Sequence, residues 1–443
     1  MQALLSLSIS ILAGLMLSRV AKLLKLPAVT AYLVAGILIG PYVLGALGVP
    51  GLGFISHDDV KSYSIICDVA LGFIAFSIGN EFRVSQLKKI GKQATVIGIF
   101  QAVVTTVIVD AFLIGLHFIL GEDVLPLPAA IVLGAIASAT APAATLMVVK
   151  QYKAKGKLTD ILLPVVALDD AVGLVLFAIS FGVARALATG TVSIAAIILE
   201  PILEVALSLA LGFVMGLLFT FCERFFHSNS KRLAMSICFV LLTVGLSMID
   251  FHIGEIHVAF SSLLVCMMLG TVFCNVCDFS EELMARADRW AGPVLILFFV
   301  ISGAELELSV FASLSVVIIG VVYIVARSLG KYAGAYASAK AVHCDEKIVK
   351  YLGITLLPQA GVALGMAIKA EAAFVGANAH IGVIVANITL FAVLVYELIG
   401  PTLTKMSLLK SGDIKPEEKI SSRDKVREAL DAKRAAENST ENK

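Results

Sequence analysis

The stretch "LLPVVALDDAVGLVLFAISFG", residues 162–182, is an apolar run with two adjacent aspartates, Asp169 and Asp170, near its middle. It belongs to a longer apolar run over 160–187. A helix there puts the two acids roughly 15 Å from its start, near the midplane of a bilayer. A single acid at that depth costs on the order of 3 kcal/mol even on the lenient insertion scale. One reading is that both acids face a buried base purely to hold helices together. Acids inside a membrane are functional by default, which favours a second reading, an ion or proton site.

The rest of the chain fits a membrane setting. Of its 443 residues, 59% are hydrophobic and 15% are charged. No soluble fold buries so much apolar surface at this length, so the class is integral membrane protein. The net charge of +1 says little, because the charges are segregated along the chain. The first apolar run is too long for a signal peptide and has no clear cleavage site after it, so it is read as a retained first span. Seven cysteines show no disulfide framework. "CNVC" (Cys274 to Cys277) has metal-like spacing but lacks a second pair or nearby histidines, and reads as small apolar residues near a helix end. The seven histidines lie in loops or near span ends and read as solvated residues that titrate in the physiological range.

A span needs about 20 apolar residues, and about thirteen such runs are present. They lie at 2–21, 27–48, 62–82, 94–119, 127–149, 160–187, 192–221, 233–251, 256–277, 290–309, 311–340, 348–369 and 379–408. Alternate connections carry most of the Lys and Arg: "SRVAKLLK", "FRVSQLKKIGK", "KQYKAKGK", "ERFFHSNSKR", "SEELMARADR" and "AKAVHCDEK". The intervening loops, such as "GVPGLGFISHDD", "GEDVLP" and "DFHIGEIH", are poor in them. This places the basic loops and the C-terminus in the cytoplasm and the N-terminus outside a cell membrane, as an odd number of spans requires. Residues 1–409 then form the membrane domain and 410–443 a short polar tail, in which "SSRDKVREALDAKRAAE" is a candidate helix. The basic loops serve topology and contact with lipid.

Helix geometry separates the two acids. Neighbours sit about 100° apart around the axis, so one carboxylate can meet a protein cation while the other faces a cavity. Desolvation favours the protonated form of a carboxylate, so such a group can hold either a proton or a metal cation. Candidate bases are Arg327 and Lys331 in "VARSLGKYAGAY", four residues apart on one helix face. Snorkelling of the lysine to the cytoplasmic side is the competing reading. Two further spans are interrupted. "ASATAPAATLMV" (137–148) contains Thr140, Ala141 and Pro142; "LLPQAGVALGMA" (356–367) contains Pro358, Gln359 and Gly361. Each proline removes an N–H and frees backbone carbonyls, which are tolerated at membrane depth only beside a cavity or inside protein. The interrupted runs are the fifth and twelfth, so they run in opposite directions. That matches two inverted repeats, runs 1–6 and 8–13, with run 7 as linker.

In this order the motifs resemble the monovalent cation:proton antiporters, in the branch with paired aspartates. "LPAVTAYLVAGILIGPYVLG" (26–45) resembles the family's early helix, and "LGFIAFSIGNEFRVSQLKKIGK" (71–92) its "GLE" segment, with Asn80 in place of the usual leucine before Glu81. "ASATAPAAT", "VALDDAVGLV", "ARSLGKYAG" and "LLPQAGVALGMA" follow in the family's order, and the resemblance covers about residues 1–405. It implies an all-α fold of 13 transmembrane helices with crossed unwound helices, a dimerisation domain (spans 1–3 and 8–10) and a mobile core domain (spans 4–6 and 11–13). It also implies roles: Asp170 as main cation and proton ligand, and Asp169 as the partner of Lys331. Thr140 would lie at the crossing, completed by Pro358 and Gln359. Glu81, near the cytoplasmic end of its span, takes an interfacial or entrance role. Ala141 stands where many electroneutral members have Asp, which favours the electrogenic branch. The tail is too short for the cytosolic nucleotide-binding domain usual in potassium-efflux members.

The expected function is exchange of Na⁺, or Li⁺ or K⁺, for H⁺ by a homodimer, with no cofactor, no catalytic residues, no resident metal and no nucleic-acid partner. A potassium/proton antiporter of the same fold is the alternative, and an ion channel a distant one. An intramembrane aspartyl protease needs its acids on facing helices, which adjacent residues on one helix do not provide.

Overall fold

The computed structural model describes the chain except residues 1, 25, 50–52, 80–81, 190–193, 250, 254–255, 259, 307–311, 375 and 416–443. Glu81 and the candidate tail helix therefore lie outside the described residues. The first helices are α1 (Gln2–Leu23), α2 (Ala28–Ile39), the short α3 (His57–Lys61) and α4 (Ser64–Gly79). Then come α5 (Val84–Leu120), the half-helices α6 (Leu127–Ile136) and α7 (Pro142–Tyr152), and α8 (Lys157–Thr189), which holds the aspartate pair. Next are α9 (Ile194–Glu223) and α10 (Asn229–Ser247). A two-stranded hairpin, β1 (Phe251–Ile253) with β2 (Ile256–Val258), precedes α11 (Ser262–Val276). The series closes with α12 (Ser280–Glu305), α13 (Leu314–Ala341), the half-helices α14 (Glu346–Thr355) and α15 (Gly361–Ala373), and α16 (Ala379–Ser411).

This is an all-helical, multi-span membrane protein apart from that hairpin. Among the described residues eight helices are long and apolar enough to cross a membrane, and shorter apolar helices accompany them. The hairpin is a departure from the all-α expectation: "DFHIGEIH" reads as a loop, yet its alternating bulky residues pair Phe251 with Val258 and Ile253 with Ile256. Two basic connections also become helix. α5 begins at Val84, inside "FRVSQLKKIGK", because the side chain of Asn275 accepts from Val84 N–H at 2.8 Å and caps a segment of good helix formers. α12 takes in "SEELMARADR", with Glu281 and Glu282 in its first turn, where acids favour the helix dipole.

The helices sort by packing into two groups. α1, α2, α4, α10, α11 and α12 pack on one another, and α9 packs chiefly on α11. α5, α6, α8, α13, α14, α15 and α16 form the second group, in which α13 packs chiefly on α5, and α7 touches both groups. Close crossings use glycine, as helix association in lipid requires. At the α2–α12 crossing, a Cβ on Gly36 would enter the backbone of Val300 and Ala304, and one on Gly303 would meet Leu33.

Buried apolar side chains divide into two clusters, and the division matters for the site. In α8 one cluster stops at Ala167 and the other resumes at Phe177; in α13 the gap lies between Ala326 and Ala335. The interruptions at 137–141 and 356–360 fall at the same junction. A polar layer thus crosses the second helix group between two apolar ones. Gly36→Ala is expected to pry α2 from α12 and destabilise the protein by about 1–3 kcal/mol. A lowered melting temperature in detergent is the expected reading; an unchanged one would show slack in that crossing.

Candidate functional site

The polar layer begins with the two breaks. Pro142 occupies the first turn of α7, where its missing N–H costs nothing. Pro358 lies between α14 and α15, and its carbonyl accepts from Ala141 N–H at 2.8 Å, so each break is stitched to the other. Gln359 adds a second stitch: its amide donates to Ile136 C=O and to the Tyr323 hydroxyl, each at 3.0 Å.

Breaking a helix leaves its last carbonyls without partners, and the C-terminal end of a helix carries partial negative charge. α13 supplies the donors. Arg327 Nε reaches Ala137 C=O at 2.9 Å, Nη2 reaches Ala139 C=O at 2.7 Å, and Nη1 reaches Leu357 C=O at 2.7 Å. Lys331 Nζ takes the remaining carbonyl of the series, Ser138, at 2.5 Å. Four consecutive carbonyls from the last residue of α6 onward, Ile136 to Ala139, are therefore each met by a side-chain donor. The Arg327 guanidinium also lies over the ring of Tyr396, 4.5 Å from its centroid. Expected as a charge partner for an aspartate, Arg327 instead directs its hydrogen bonds at backbone, because two helix ends converge on it. The planar fork, with five N–H donors, meets three carbonyls in different directions.

Lys331 does meet an acid. Its Nζ lies 2.9 Å from Asp169 Oδ2, and both side chains are wholly buried (0% exposed). The lysine therefore does not snorkel. It also donates to Gln101 Oε1 and Thr140 Oγ1, each at 2.9 Å. Thr140 in turn donates to Asp169 Oδ2 at 2.5 Å, and the Gln101 amide hydrogen-bonds Asp169 Oδ1. Asp169 thus has both oxygens satisfied from three elements: α5, the α6–α7 break and α13.

Asp170 is the opposite case. It is 1% exposed, and neither carboxylate oxygen has a hydrogen-bond partner. An ionised carboxylate buried without a partner is strongly disfavoured, so this one calls for a bound proton or cation. Gln359 Oε1 and Thr145 Oγ1 are further buried oxygens without partners near the breaks. The layer therefore offers one neutralised carboxylate and one that is not.

The sodium/hydrogen exchanger transmembrane family matches the chain over residues 7–410. The chain belongs to the sodium/hydrogen exchanger family. It is therefore a cation/proton antiporter and not an enzyme. No curated protein sequence matches it significantly. Two structures of the sodium proton antiporter MjNhaP1 from Methanocaldococcus jannaschii share its fold. The structure at pH 8 aligns with TM-score 0.66 at 16% identity over 93% of this chain and 99% of the other. The electron-microscopy map aligns with TM-score 0.70 at 17% identity over 93% and 98%. At that identity the likeness speaks for the fold alone.

The exchanger's structure adds Gln101 to the residues singled out in the sequence. An amide inside the apolar 94–119 run was the available signal, since a polar group within a span requires a partner. Tyr323 and Tyr396 carried none, as aromatic residues are ordinary in spans. Cys274 and Cys277 donate to Thr271 C=O (3.2 Å) and Glu223 Oε2 (3.8 Å), respectively.

Arg327→Lys keeps the charge and loses the fork. With two carbonyls left unmet, the expected cost is about 2–6 kcal/mol. A melting temperature in detergent equal to that of the unaltered protein would remove Arg327 from this clamping role.

Proposed function

We propose that this exchanger trades Na⁺, or Li⁺ or K⁺, for H⁺ at Asp170. The observation that carries the reading is the unpartnered, buried Asp170 beside a fully satisfied Asp169–Lys331 pair. In this scheme Asp170 binds a proton or a cation, never both. Asp169 and Thr140 turn from Lys331 to the cation when it arrives, and the freed carbonyls and Gln359 help to coordinate it. If Lys331 releases its proton at that moment, two protons move per cation and transport is electrogenic. Lys331→Gln is then expected to lose voltage dependence while Asp170 still exchanges.

Alternating access in this proposal moves the α5–α8 and α13–α16 group as the transport core against α1–α4 and α10–α12 as scaffold. α9 is the linker, the fold comprises 13 spans in two inverted repeats, and the scaffold mediates a homodimer. The basic-loop end faces the cytoplasm. One set of contacts supports a sealed cytoplasmic side in this conformation. Lys150, Gln151 and Tyr152, at the end of α7, bind across the two groups. Lys150 Nζ lies 2.7 Å from Asp288 of α12 and 2.5 Å from Ser77 Oγ of α4. Gln151 accepts from Ala28 N–H at 2.8 Å, and the Tyr152 hydroxyl donates to Leu26 C=O at 3.3 Å. Opening that end requires these contacts to part.

The primary test is proton movement in inside-out vesicles under an imposed pH gradient. Addition of Na⁺, Li⁺ or K⁺ is expected to collapse the gradient with the unaltered protein and not with Asp170→Asn. The cation that acts at the lowest concentration names the substrate. Collapse that survives in Asp170→Asn moves the site elsewhere.

The Lys150–Asp288 pair is partly exposed, and such pairs contribute about 0.2–1 kcal/mol. Lys150→Ala is expected to shift the balance towards the cytoplasm-open form by up to about fivefold. Accessibility of an engineered cysteine near Asp170 to a membrane-impermeant thiol reagent reads this shift. The double exchange Lys150→Asp with Asp288→Lys is expected to restore the original accessibility. Equal labelling in all three proteins would sink the clamp.

A further inference from the structure

α8 carries the aspartate pair, and its own cap residue brings no side-chain acceptor. The residues before it are "KAKG", which places Gly156 at the cap position, where its carbonyl accepts from Asp160 N–H at 2.9 Å. A side-chain acceptor arrives from the far end of the chain. Asp413, two residues beyond the end of α16, accepts from Thr159 N–H at 2.7 Å and from Thr159 Oγ1 at 2.8 Å, both on Oδ2. Its Oδ1 accepts from Ser411 Oγ at 3.1 Å. Its backbone carbonyl accepts from Lys155 N–H at 2.9 Å.

The local geometry is built for this contact. Gly412 has φ 89°, a left-handed conformation that turns the chain off α16 and suits glycine. Gly156 leaves the room that Asp413 occupies; a Cβ there would lie 2.6 Å from its carboxylate. Asp413 is 7% exposed, and the neighbouring Ile414 joins the buried apolar cluster. Two further struts tie the same corner together. Lys347 Nζ, in the first turn of α14, donates to Ser411 C=O at 2.7 Å, and Lys157 pairs with Asp345 at 2.6 Å.

We propose that Asp413 is a positioning residue for the aspartate pair, setting the height of α8 against the crossing of the broken helices. Thr159 is ten residues before Asp169, and the helix runs unbroken for the intervening stretch of about 15 Å, although Pro164 removes one ladder bond between them. The same corner holds the start of α14, and just beyond the far end of α14 the Leu357 carbonyl accepts from Arg327. One end of the bundle thereby fixes the register in which Asp169 meets Lys331 and Asp170 remains apart. A carboxylate at a helix N-terminus also opposes the positive end of the dipole.

The inference rests on Asp170 as the carrier, and the test separates the two. Cation-dependent proton flux, its pH profile and Na⁺- or Li⁺-induced thermal stabilisation are measured on the full chain. Loss of a helix cap of this kind corresponds to about a fivefold change in an equilibrium. Asp413→Ala is expected to raise the apparent KM for Na⁺ or Li⁺ by about that factor and to displace the pH profile, with the maximal rate per folded protein less affected. Asp413→Asn retains an acceptor for Thr159 N–H and is expected to restore both. Thr159→Val, which removes one of the two bonds, serves if Asp413→Ala does not fold, and is expected to raise KM about twofold. KM and pH profile at their original values in Thr159→Val and Asp413→Ala overturn the positioning role alone. A maximal rate that falls while KM and pH profile stay fixed does the same. No flux and no cation-induced stabilisation in the unaltered protein overturn the Asp170 assignment, and the positioning role with it.

Discussion

The structure depends on satisfying backbone carbonyls at a depth where no bulk water reaches. Two helices are broken at the same level, and each break would leave several carbonyls bare in a low-dielectric layer. α13 answers this with two cations one turn apart. Arg327 clamps Ala137, Ala139 and Leu357, and Lys331 takes Ser138. Every other feature of the site follows from those two side chains. They must be buried to reach the carbonyls, and a buried cation needs compensation. Helix ends provide it for Arg327; Asp169 provides it for Lys331.

That arrangement leaves the second aspartate without a partner. Lys331, Gln101 and Thr140 are already committed to Asp169. Asp170, the next residue along α8, faces away by the helical turn and finds no donor. A carboxylate in that position is unstable unless something neutralises it, and a proton and a monovalent cation are equivalent for that purpose. In the proposed function, competition between the two at this group drives exchange. Lys331 is at once a cap for a helix end and the counter-ion of Asp169.

The division of the apolar core supports the same view. The polar layer occupies the gap between two buried apolar clusters in the second helix group. Apolar packing above and below holds the crossing in place, so the carboxylates sit in a defined environment. The cap on α8 supplied by Asp413 works from one end of this assembly, and the clamp on α7 joins it to the neighbouring helices.

What the sequence by itself determined was local and periodic. Runs of apolar residues set where helices form, and Pro142 and Pro358 mark where two of them break, although Pro164, Pro293 and Pro401 are carried inside unbroken helices. The adjacency of Asp169 and Asp170 already required that they face different surroundings. Ends of helices were less legible: α5 and α12 absorb basic connections because caps and first-turn charges, rather than hydropathy, decide where a helix starts. The identity of the partners was decided only by the tertiary structure. Gln101 meets Asp169 across 68 residues, Lys331 meets it across 162, and Asp413 caps α8 across 254. Contacts at such separations depend on how helices cross, and no local pattern encodes a crossing. For the same reason Arg327 and Lys331, alike on one helix face, part company only in the folded protein, one to the carbonyls of two helix ends and the other to an acid.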